Sequence, residues 1–162
     1  MGDNRNIVVV EDLYKDISGL KNTTLDLKNF SMSNSAKVVN CSDVTLNLSE
    51  KMSKITLLDC HDIIVNSNSL ITGIEITSCH NIKIIVTKNL PSLVIDKSDS
   101  IITYVPEESA GNLKITTAKS GDLNLVISKP NDSQYELHIP SQFEHTLDET
   151  LKNFIHKPSS FY

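Results

Sequence analysis

Over most of this chain, apolar residues alternate with polar ones in short pairs. Each pair is followed by a polar turn and then by a second alternating pair. Ile55-x-Leu57 leads into Asp59-Cys60-His61-Asp62, and Ile63-x-Val65 follows. A period of two predicts half-buried strands rather than helices. Cys41, Cys60 and Cys79 stand 19 residues apart, and the alternating pairs repeat with them. Copies run from Ala36 to Leu46, Ile55 to Val65, Ile74 to Ile84 and Leu93 to Thr103, the last with Ser98 in the cysteine column. A weaker upstream copy carries Ile17, Gly19, Asn22, Leu25 and Leu27. Downstream, Leu113, Ile115 and Ala118 align as a fifth copy, with Leu123 and Leu125 after a two-residue insertion.

A fixed period near 20 is the signature of a solenoid, in which each turn buries its apolar face against the next. A leucine-rich repeat also places Asn or Cys after apolar-x-apolar, but its period is longer and its return segment helical. Here the return is strand-like, as in Ile82-x-Ile84-x-Val86. The pattern therefore predicts an all-β chain, a parallel β-helix of about six coils spanning roughly residues 16–127. Strands about 4.8 Å apart make a core on the order of 25–30 Å long. After Leu125 the repeat stops. Pro130 to Ser133 reads as a turn, Tyr135 to Ile139 alternates as a strand, and Phe143, Leu147, Leu151, Phe154, Ile155 and Phe161 follow. An open solenoid needs its last strand edge covered. This segment is the expected cap, and its apolar content predicts pairing with a second chain through residues 134–155. Ile7 to Val10, with Leu13, is expected to cap the other end, with a plain edge strand as the alternative for Val8-Val9-Val10. The whole chain reads as one domain.

Composition agrees with the pattern. Ile, Val and Thr abound, while alanine occurs only at 36, 110 and 118. The net charge of −5 disfavours nucleic acid, whose phosphates call for a basic patch. No apolar run is long enough to span a membrane. Met1 to Val10 is too short for a secretion signal, and Asn6 stands where an N-myristoylation motif has Ser or Thr, so the expected location is the cytoplasm.

Candidate chemistry is sparse. Cys60 and Cys79 with His61 and His80 are the obvious metal candidates, but equivalent positions on successive coils line up along the axis and do not converge tetrahedrally. The cysteines are expected to be buried, reduced and unliganded, with Cys60→Ser leaving an unpaired hydroxyl at about 1–3 kcal/mol. Asp43, Asp62, Asn81 and Ser100 form a second row, expected to serve turn backbone rather than catalysis. Phosphate-binding loops and nucleophile elbows are absent, and no cofactor is expected. Arg5 is the only arginine. That disfavours a tubulin-cofactor-C-like GTPase activator, a related β-helix working through an arginine finger. A polysaccharide-cleaving β-helix would want clustered carboxylates and basic residues in a cleft. A scaffolding solenoid remains the bland alternative.

Three segments carry a family resemblance. Leu90-Pro91-Ser92-Leu93-Val94-Ile95-Asp96-Lys97-Ser98-Asp99, Ala118-Lys119-Ser120-Gly121-Asp122-Leu123-Asn124 and Tyr135 to Phe143 occur in order. Together they resemble the C-terminal CARP domain of cyclase-associated proteins, in the short form of apicomplexan parasites. The resemblance implies a right-handed parallel β-helix with a C-terminal hairpin exchanged between two protomers. It also implies a non-enzymatic protein that binds actin monomers, favours their ADP form, and sequesters them or promotes nucleotide exchange. The actin contacts it implies are Asp96, Lys97, Asp99, Lys119, Ser120, Asn124, Pro140, Gln142 and Phe143. The implied dimer interface is Leu137, Ile139, Phe143, Leu147, Leu151 and Phe154. The family's hairpin usually turns on Asn-Gly, where this chain reads Thr146-Leu147-Asp148-Glu149.

Overall fold

The computed structural model describes residues 6–10, 17–28 and 32–159. In chain order the strands are β1 (Asn6–Val10), β2 (Ile17–Ser18), β3 (Lys21–Leu27), β4 (Ser35–Val39), β5 (Ser42–Leu48), β6 (Met52–Leu58) and β7 (His61–Thr77). There follow β8 (His80–Asn89), β9 (Ser92–Asp96), β10 (Asp99–Pro106), the one-turn helix α1 (Glu107–Ala110), β11 (Lys114–Ala118) and β12 (Gly121–Ser128). The chain closes with β13 (Gln134–Ile139), β14 (Phe143–Leu147) and β15 (Phe154–Pro158).

The first twelve strands build a parallel β-helix of about six coils. One wall stacks β3, β5, the first half of β7, β8, β10 and β12, all parallel. The facing wall stacks β2, β4, β6, the second half of β7, β9 and β11. Register follows the repeat: Val44, Ile63, Ile82, Ile101 and Leu123 stand directly over one another. Opposite them run Ala36, Ile55, Ile74 and Leu93. These side chains are buried. Each full burial of such a residue is worth about 1.5–3 kcal/mol, so stacked columns of aliphatics hold the coils together.

The corner between the walls is built from two left-handed residues flanking a pair whose first member is small. Asn40, Asp59, Ser78, Lys97 and Lys119 have φ of 50–54° at the first position. Asp43, Asp62, Asn81, Ser100 and Asp122 have φ of 52–56° at the second. Asn, Asp and Ser suit that conformation because their short polar side chains tolerate it. The Asp43–Ser100 row thus occupies left-handed corner positions, while Asp62, Asn81 and Ser100 bond to neighbouring side chains rather than to turn backbone. Gly73 is required for a different reason. Its φ is +140°, and a Cβ there would lie 2.1 Å from the Ser92 carbonyl oxygen of the next coil.

One expectation is corrected. Spacing aligns Ala118 with the cysteine column, but Ile115 pairs with Leu93 and Ala118 with Asp96. Ser120 therefore continues the column, because α1 and its turn lengthen this coil before β11 rather than after it. At the other end β1 adds a parallel strand along β3, so Ile7 to Val10 cover that sheet edge as an edge strand, with Ile7 and Val8 still exposed. Leu13 lies outside the described residues.

After β12 the direction reverses. β13 pairs antiparallel with β12, placing Ile139, Leu137 and Tyr135 opposite Leu123, Leu125 and Ile127. That covers the last edge of one wall. β14 and β15 form a separate antiparallel hairpin. Its turn is held by Asp148, whose N–H donates to the Asn153 carbonyl (3.0 Å) and whose carboxylate accepts from Thr150 N–H (3.0 Å) and Oγ1 (2.6 Å). These bonds, Thr150 first, hold the Asp148 carboxyl below its ordinary range. A longer loop with Leu151 at φ 58° thus replaces the tight Asn-Gly turn.

Candidate partner-binding surface

The cysteine column lies at the corner, inside the wall. Cys41, Cys60 and Cys79 are free thiols and buried. Each Sγ donates to the carbonyl two residues earlier, at 3.4, 3.3 and 3.2 Å. Ser98 and Ser120 make the same bond with their hydroxyls, at 2.9 and 2.8 Å. Their oxygens also accept the N–H of the preceding coil's column residue: Cys79 N–H to Ser98 (3.0 Å) and Ser98 N–H to Ser120 (3.1 Å). The column is a hydrogen-bonded seam. Burial pushes the Cys41 thiol up; the neighbouring Cys79 sulfur, then burial, pushes the Cys60 thiol up. His61 and His80 point outward and are exposed, away from the sulfurs. The seam also corrects the forecast for Cys60→Ser, since a hydroxyl there has the Leu58 carbonyl as partner.

Outside the seam runs a polar ladder. Asn81 Nδ2 donates to Asp62 (2.6 Å), Ser100 Oγ to Asp122 (3.0 Å), and His80 Nδ1 meets Asp99 at 2.5 Å. The hydrogen bond to Asp99 raises His80 above its ordinary value, and Asn81, then His61, lowers Asp62.

The three resemblance segments, distant in sequence, converge at this corner near the C-terminal end of the helix. Asp96 pairs in register with Ala118, and the Lys97 N–H donates to the Ala118 carbonyl (3.0 Å). This sets Lys97 and Lys119 on successive coils at equivalent left-handed positions, both exposed. A depression of about 460 Å³ is lined by Thr117, Ala118, Lys119, Ser120, Ser141 and Phe143. Pro140 and Gln142 are exposed beside it. Asn124 sits on the outer face of β12, where His138 of β13 reaches it at 3.3 Å. Asp99 and Ser120 are engaged within the chain, in the ladder and the seam. Thr117, Ser141 and His138 were not anticipated. His138 was legible as the polar partner in the Leu137-x-Ile139 alternation, and Ser141 lies two residues before Phe143; Thr117 was not legible, because only the return of the chain along the last coil brings it to Phe143.

The expected dimer residues divide. Leu137, Phe143, Leu147, Leu151 and Phe154 are exposed, whereas Ile139 is half-buried and packs on the chain's own core. Phe143, Leu147 and Phe154 share one hairpin face; Ile155, also exposed, lies on the other.

A two-walled parallel β-helix with its last edge closed by a returning strand, and an apolar hairpin beyond, defines a class of β-solenoid with a built-in extension. Residues 10–160 match the family described as adenylate cyclase associated (CAP) C terminal, and the chain belongs to that family. Its fold is similar to the crystal structure of cyclase-associated protein from Cryptosporidium parvum, with a TM-score of 0.71 and 21% identity, covering 97% of this chain and 85% of that one. No curated protein matches the sequence significantly. No helix among the described residues is long and apolar enough to cross a membrane.

Proposed function

We propose that this chain binds monomeric actin, with preference for the ADP form, and controls its supply by sequestration or by promoting nucleotide exchange, without catalysing a covalent reaction. The observation that carries the reading is the convergence of the three family segments on one surface, from Asp96, Lys97 and Asp99 through Lys119, Ser120 and Asn124 to Pro140, Gln142 and Phe143. Lys97 and Lys119 stand one above the other there, and Phe143 supplies an apolar anchor beside the depression. Interfaces commonly combine such an anchor with a charged rim.

The same reading makes the working unit a cytoplasmic homodimer. Seven of the twelve large hydrophobic side chains exposed among the described residues lie between Tyr135 and Ile155. Monomeric proteins seldom leave so concentrated an apolar surface in water. A second chain docked on Leu137, Phe143, Leu147, Leu151 and Phe154 covers it.

The test follows a fluorescent nucleotide on ADP-actin, with and without the protein, alongside a pelleting assay for free monomer. Wild type is expected to change the exchange rate or the monomer pool, with an effect that weakens as salt rises. K97E/K119E is expected to reduce the effect while the β-sheet circular dichroism stays the same. If wild type alters neither quantity, the actin reading fails and a non-actin scaffold is left. Light scattering that finds a stable monomer at micromolar concentration removes the dimer.

A further inference from the structure

Three thiols stand in one line along the corner. Before the corner, Val39 pairs in register with Leu58, and Leu58 with Thr77. Beyond it, Ser42 pairs with His61, and His61 with His80. These pairs bracket Cys41, Cys60 and Cys79, so each cysteine stands over the next. Parallel strands stack about 4.8 Å apart, which sets the Cα atoms of neighbouring cysteines at about that spacing. Disulfides bridge Cα separations of about 4.4–6.8 Å. Cys41 and Cys79, two coils apart at roughly 9.6 Å, fall outside that span. Any disulfide within the chain therefore includes Cys60.

The surroundings choose between its two neighbours. Cys60 and Cys79 line an open depression of about 420 Å³, with His61, His80 and Lys97 among its other walls, and Cys41 does not. The two cysteines are only 2% and 3% exposed, but a molecule little larger than water that enters the depression arrives at this pair. The seam tolerates the loss of their protons. The Leu58 and Thr77 carbonyls that accept from the two Sγ atoms also accept backbone N–H groups, from Asn40 (2.9 Å) and Asp59 (3.1 Å). Neither carbonyl is left unpaired, so the penalty for a buried orphan acceptor does not arise. The adjoining Cys60 sulfur holds the Cys79 thiol below its ordinary range, while Cys60 is pushed up. Cys79 is therefore the first to supply a thiolate, the reactive form.

We infer that Cys60 and Cys79 are a peroxide-sensitive dithiol that closes to a disulfide between successive coils, leaving Cys41 a free thiol. The Cys79 thiolate attacks one oxygen of hydrogen peroxide; an S–O bond forms, the O–O bond breaks, and hydroxide leaves to be protonated to water. The Cys60 sulfur then attacks the sulfenic acid on Cys79. The S–S bond forms, the S–O bond breaks, and the departing hydroxide takes the Cys60 proton as a second water. The two sulfurs lose two electrons, and peroxide gains them. The inference depends on neither the actin nor the dimer reading.

The test treats the folded full chain with hydrogen peroxide. Remaining thiols are then counted by alkylation in denaturant, and the bonded peptides are mapped by mass spectrometry without reduction. Wild type is expected to fall from three alkylated thiols to one, with Cys60 bonded to Cys79. C41S is expected to fall from two to none, and C60S to keep both. The cross-link closes a loop of the unfolded chain, so the urea midpoint of oxidised wild type should rise and return with dithiothreitol, while that of C60S stays fixed. Circular dichroism before treatment confirms the fold of each variant, and C60A serves in place of C60S should the hydroxyl prevent folding. Three thiols remaining in treated wild type, a bond from Cys41 to either partner, or a disulfide joining two chains each overturns the inference.

Discussion

The middle coils and the C-terminal segment use the same strand chemistry to opposite ends. In the coils, every alternate side chain meets its counterpart above and below, and Leu57, Ile76 and Ile95 are buried between neighbours. In the hairpin the alternation is as regular, yet Phe143, Leu147 and Phe154 are left about half exposed or more. What differs is stacking. A strand in the solenoid has a neighbour on both edges and a wall opposite; β14 and β15 have one edge each and no facing wall among the described residues. Apolar alternation thus marks a core where coils stack and a docking surface where they have ended.

That contrast yields a graded series of substitutions. The largest loss is expected at Gly73→Ala, since the new Cβ collides with the Ser92 backbone and cannot be relieved by a side-chain rotation. Urea unfolding should show a loss of about 4 kcal/mol or more, or no folded protein at all. Leu57→Ala empties a fully buried site between coils and should cost about 2–5 kcal/mol by the same measurement. Cys60→Ser is expected to cost under about 1 kcal/mol, because the hydroxyl inherits the Leu58 bond as Ser98 does with Asp96. A cost several times larger would mean that the seam depends on sulfur's bulk and not on its hydrogen bond. Phe154→Ala should leave monomer stability within about 0.5 kcal/mol, while analytical ultracentrifugation shows association weakened. Equal losses at Phe154 and Leu57 would erase the distinction between the two regions.

The smallest effect concerns pH. His80 is held above its ordinary value by Asp99, so its folded pKa lies above the unfolded one. The contribution of this pair is fully present below the unfolded value and lost as pH rises through the folded one. Both groups are exposed, so the effect on stability is slight. NMR titration of the His80 ring should show the raised pKa, and D99N should return it toward the ordinary range.

Much of this architecture was written in a one-dimensional pattern. A period of 19 carried by Cys41, Cys60 and Cys79 is enough to stack the coils, because in-register parallel strands bring each residue over the one a period earlier. The same periodicity separated inward cysteines from outward histidines. It fails at the last coil, where the spacing sets Ile115 and Ala118 two positions out of register. There α1 lengthens the coil, and no local signal distinguishes an insertion before a strand from one after it.

The sequence by itself determined the strands, the coil count and the family, since each rests on spacing along the chain. Only the tertiary structure decided which residues share a surface. Lys97 meets Lys119 through coil register, and Ser141 and Phe143 reach Ser120 because β13 reverses along β12. Contacts of this kind depend on where a chain returns to itself, and the return is fixed by stacking and turn geometry rather than by the identity of the residues that meet.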